Sequence, residues 1–70
     1  MLTKKNIEKL FELNVKIINH LDGILTEPIN NKFLSSEENK EAFELLENVR
    51  SYYLVANENI TYILNGLTYP

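Results

Sequence analysis

Seventy residues without a cysteine, 44% of them hydrophobic, exclude a disulfide framework and a thiolate metal site, so stability has to come from packed apolar surface in one small domain. The net charge of −3 is unevenly placed: residues 1–34 hold five lysines against four acids, and residues 35–70 hold Lys40 and Arg50 against six glutamates. That split suits a hairpin whose two arms attract. No run of 18 apolar residues exists to cross a bilayer and no apolar signal core follows Met1, so a cytoplasmic location and no membrane partner are expected.

The first element is predicted as a helix over about residues 4–22. Ile7, Leu10, Phe11, Ile17, Ile18, Leu21, Ile24 and Leu25 recur at spacings of three, four and seven. In heptads with Ile7 at position a they form an a/d/e stripe, wider than the seam of a two-stranded coil. Thr3 has the chemistry of an N-cap, and Asp22-Gly23 that of a stop, with Ile24 and Leu25 packing back over the last turn.

Residues 23–35 read as a loop, because Gly23, Pro28, Asn30-Asn31 and Ser35-Ser36 all favour turns. Ile29, Phe33 and Leu34 are expected to pin it to the core.

The second helix is predicted to start near Ser36, where Ser35 with Glu38 or Ser36 with Asn39 has the capping-box spacing and Glu37 and Glu38 suit the helix dipole. Its stripe runs Ala42, Leu45, Leu46, Val49, Tyr52, Tyr53, Ala56, Ile60, Ile63 and Leu64. Phase alone permits one helix to Gly66. Asn57-Glu58-Asn59 is the weak point, since asparagine prefers caps and turns, and a break there leaves a helix over about 36–56 and a last one over about 58–65. Leu67 and Tyr69 are expected to fold back on the core.

Catalytic chemistry has little to draw on. There is one histidine, one aspartate and no cysteine, and His20 and Asp22 stand two apart, which on a helix points them to different faces. No catalytic, cofactor-binding or metal-ligating set is therefore expected, and no cofactor: the Glu-x-x-His motif of dimetal bundles is absent. Glu37, Glu41 and Glu44 stack at helical spacing as a solvated acidic face, or as a docking face for a basic partner. Lys4, Lys5, Lys9 and Lys16 cluster along the first helix, which keeps a small nucleic-acid-contacting transcription or replication regulator as the alternative function. Glu8 and Glu12 interrupt that cluster and the chain is acidic, so nucleic acid is the weaker expectation. Asn59-Ile60-Thr61 matches a glycosylation sequon that means nothing in a cytoplasmic chain.

Asn14 falls at a stripe position of the first helix and Asn59 at one of the second. A buried asparagine at position a fixes register and oligomeric state at some loss of stability; the alternatives are a near-surface Asn14 that bonds water and, for Asn59, the helix break. Outside the main stripe lie Leu13, Val15, Phe43, Leu54, Val55 and Tyr62, and around Tyr52–Ala56 the second helix is apolar on every side. A segment of that kind is buried from more than one direction. Leu13, Val15, Tyr52, Tyr53, Leu54, Val55 and Tyr62 are the candidate interface residues, since tyrosine couples a large apolar area to a polar tip.

The fold expected is all-α: a helical hairpin that dimerises into a four-helix-type bundle, or a three-helix bundle. The function expected is that of a non-catalytic interaction module, a regulator or inhibitor of a larger protein whose identity the residues do not reveal. Ten asparagines, seven isoleucines and six lysines to one arginine fit an AT-rich coding sequence, as in a low-GC bacterium, its phage or a plasmid.

Overall fold

The computed structural model describes residues 2–26 and 31–68, and consists of two helices, α1 (Lys4–Ile24) and α2 (Ser36–Thr68), packed against each other as an antiparallel hairpin. At 1.5 Å per residue the helices are about 31 and 50 Å long. They give a rod of 53 × 20 × 14 Å. No strand occurs among the described residues, and no helix there is long and apolar enough to cross a membrane.

Both helix starts follow from their caps. Thr3 is extended, its hydroxyl accepts from the Asn6 amide at 3.2 Å, and its carbonyl takes the Ile7 amide. Ser35 and Glu38 form the reciprocal capping box: Ser35 Oγ accepts from the Glu38 amide and Glu38 Oε1 from the Ser35 amide, each at 3.1 Å. Between the two spacings open in the sequence, Ser35 with Glu38 is the one used, and Asn39 is free for another task.

The helix ends depart from expectation. Gly23 lies inside α1 and Gly66 inside α2, and no described residue has positive φ. Neither glycine is therefore a left-handed cap. The α1 end is satisfied locally instead, with the Leu25 amide donating to the Leu21 carbonyl at 2.8 Å and the Thr26 hydroxyl to the Gly23 carbonyl at 2.9 Å. In α2 the helix runs unbroken through Asn57-Glu58-Asn59. The Asn57 side chain has a partner on the other helix, so it does not compete with its own backbone, and its carbonyl accepts from Thr61 Oγ1 at 2.8 Å.

The connection is held by polar contacts. Asn39, buried, accepts the Asn31 amide at 2.8 Å and donates to the carbonyls of Asn31 and Ser35 at 3.1 and 3.0 Å. Phe33 does not pin the loop: it is 85% exposed, with the Lys32 ammonium 5.5 Å from its ring centre. Leu34 is also exposed. The expected roles of Pro28 and Ile29 in the loop, and of Tyr69 in the tail, lie outside the described residues.

The contact between the helices is narrow. Its least exposed positions on α1 and its C-cap are Ile7, Phe11, Asn14, Ile18, Leu21 and Leu25; on α2 they are Asn39, Phe43, Leu46, Arg50, Tyr53, Asn57, Ile60 and Leu64, with the small Ala42 and Ala56 half-buried beside them. The steps alternate between four and three, as in a two-stranded coiled coil. With Ile7 and Asn39 each at position a, the seam uses a and e. Of the a/d/e stripe read in the sequence, the hairpin therefore leaves the d edge outside. Among the described residues only Ile18, Leu21 and Ile60 form a buried apolar core, and they share the interior with Asn14 and Asn57.

Candidate interaction surface

A given rotation away from the seam leads to the same side of an antiparallel hairpin on both helices, because their directions and their seam-facing sides are both reversed. The d and g positions of α1 (Leu10, Leu13, Ile17, His20, Ile24) thus share one face with those of α2 (Ala42, Leu45, Val49, Tyr52, Ala56, Asn59, Ile63). Leu10, Leu13, Ile17, Ile24, Leu45, Val49, Tyr52 and Ile63 are all exposed large hydrophobics. Between Leu10 and Ile24 on one helix and Ala42 and Ile63 on the other, no Asp, Glu, Lys or Arg stands at a d or g position. His20 and Tyr52, both exposed, are the ionisable side chains within that span of the face.

The opposite side carries the b positions. There Val15 and Leu54 join Phe11, Ile18, Asn57, Glu58 and Thr61 around a shallow open groove over the seam. Nearer the loop, Asp22, Phe43, Glu47 and Arg50 line a second, more polar hollow, with the Arg50 guanidinium donating from Nε to the Asp22 carboxylate.

The seven residues singled out as interface candidates do not share one face. Leu13 and Tyr52 lie on the charge-free d/g side, Val15 and Leu54 on the groove side, and Val55 and Tyr62 at c positions on the back of α2. Tyr62 is 83% exposed there, and Tyr53 is half-buried in the seam. Leu54, Val55 and Tyr62 are thus separated by the curvature of their own helix. Leu10, Ile17, Ile24 and Val49, main-stripe positions in the sequence, are exposed together on the d/g side.

Glu37, Glu41 and Glu44 are exposed on the outer side of α2, in the stretch that extends past the end of α1. Lys4 pairs with Glu8 across one helical turn at 3.9 Å, so the lysine cluster is partly neutralised, and Lys5, Lys9 and Lys16 are exposed beside it. Asn59, read at a stripe position or as part of a helix break, is exposed within the unbroken α2; Asn57 is buried instead, 7% exposed against 6% for Asn14. Among the described residues, no three His, Cys, Asp or Glu side chains are grouped so as to hold a metal ion. Comparison with known proteins finds no matching family model, no matching curated protein and no matching solved structure.

Proposed function

We propose that this chain is a non-catalytic interaction module that works by packing its d/g face against another polypeptide, in the manner of a regulator or inhibitor or as half of a four-helix-type bundle. One observation carries the reading. Among its described residues the hairpin buries three apolar side chains in its interior and leaves eight large ones together on a face free of strong charge. Scattered exposed leucines are ordinary on a protein surface, but a contiguous apolar face on a chain this small marks a surface that is covered in use. The lack of strong charge points the same way, since interface centres are depleted in charged residues. The lysine-bearing side of α1 has no comparable feature, because its charges alternate with Glu8 and Glu12.

The test is site-specific photo-cross-linking in cells with a photoreactive amino acid at position 17, on the face, or at position 55, on the back of α2. The reading requires protein adducts from position 17 and few from position 55. Adducts to nucleic acid, or none from position 17, would overturn it.

A further inference from the structure

We infer that the polypeptide covering the d/g face is a second copy of this chain, the two hairpins packing face to face as a four-helix bundle. The inference rests on the interaction reading and names its partner.

The argument begins with area. The chain exposes 5731 Å². A compact folded monomer of its 8.2 kDa mass exposes about 4500 Å² by the surface scaling of globular proteins. The surplus is about 1200 Å² on that scaling, and a standard interface takes roughly 800 Å² from each partner. The surplus thus has the size of one face of a stable dimer.

The second step concerns what has to be present for the hairpin to fold. Among the described residues Ile18, Leu21 and Ile60 are the buried apolar core and no side chain is fully enclosed, and the chain has no cysteine for a disulfide. A lone two-helix hairpin with so little interior is marginal on its own. The covering chain must therefore be at hand whenever this chain folds, and the partner always at hand is another copy. An unrelated target protein meets this requirement only where it is made in step with the chain.

The third step is shape and charge. Leu10, Ile17 and Ile24 recur every seven residues on α1, and Val49 and Ile63 stand fourteen apart on α2 with the small Ala56 between them. Two such faces present the same pattern of ridges to each other, as two-fold symmetry demands. Charge favours the pairing in which α1 of one copy lies against α2 of the other, since the half of the chain bearing α1 carries +1 and the half bearing α2 carries −4. In this dimer the groove lined by Val15 and Leu54 still faces outward.

The experiment is light scattering after size-exclusion chromatography, paired with thermal melts at concentrations spanning two decades, on the full chain and on Ile17→Glu and Val55→Glu. The native chain is expected at twice the single-chain mass, with a melting midpoint that rises with concentration, as mass action requires. Ile17→Glu is expected to halve the mass or abolish the helical signal, while Val55→Glu stays a dimer. A native chain with single-chain mass and a concentration-independent midpoint would overturn the inference. So would an Ile17→Glu chain that remains a helical dimer. A monomeric native chain that still gave foreign-protein adducts from position 17 would remove the second copy and leave the interaction reading standing.

Discussion

Asn14 Nδ2 donates to Asn57 Oδ1 at 2.9 Å, joining the two helices through a pair of buried amides in the middle of an apolar seam. A one-residue slide of either helix would separate them and leave two buried polar groups unmatched. The pair therefore sets the register of the hairpin, and with it the alignment of α1 and α2 side chains on the d/g face.

The pair gives an asymmetric mutational signature. Asn57→Leu leaves the Asn14 amide buried without its partner, and is expected to lose about 1–3 kcal/mol of stability, the usual loss for an orphaned buried group. Replacing both with leucine removes the polar groups together and is expected to restore most of that stability or exceed it. Urea unfolding of the single and double variants measures the difference. A double variant less stable than either single one would show that the bond does more than satisfy itself.

The glycines separate a cap from a helix interior. Neither Gly23 nor Gly66 has positive φ, and a Cβ added to either meets no atom within 4 Å. Alanine at each position is expected to stabilise the chain by about 0.5–1 kcal/mol, the difference in helix propensity. In the left-handed cap that the sequence suggested, the same change would destabilise. The sign of the shift in denaturation midpoint decides between the two.

Asn39 is the polar clasp of the connection. Asn39→Ala removes an acceptor for the Asn31 amide and a donor to two carbonyls. A loss of about 1–3 kcal/mol is expected for those buried groups. Limited proteolysis between residues 31 and 35 should quicken together with the fall in melting midpoint. Unchanged cleavage would show that the connection is held by something else.

The sequence carried the hairpin well where local chemistry is self-contained. Thr3, the Ser35–Glu38 box and the helical phase of both stripes are short-range signals, and each stands where the residues put it. Asn14 was legible as a residue either buried to set register or bonding water near the surface, and its partner was not legible. Asn57 was weighed by its intrinsic dislike of helix interiors, a preference that a partner 43 positions away overrides. Asn39 was hidden for a related reason, since one side chain had two local roles open to it and the bond to Asn31 depends on how the loop returns. The candidate interface residues fall on different sides of the hairpin because a wide stripe does not show which of its edges the same chain covers. The division became visible only when the alternating seam was seen to take the a and e positions and leave d outside.

The most direct test of the proposal that the d/g face is covered uses the absence of native cysteines, which makes any introduced thiol a unique probe. Ile17→Cys, Ile24→Cys and Val55→Cys stand at positions that are all exposed in the single hairpin. Each can be timed against a thiol reagent under native conditions. Thiols at positions 17 and 24 are expected to react much more slowly than the one at position 55, and to slow further as protein concentration rises. Equal rates at all three positions, unchanged by concentration, would contradict a covered d/g face.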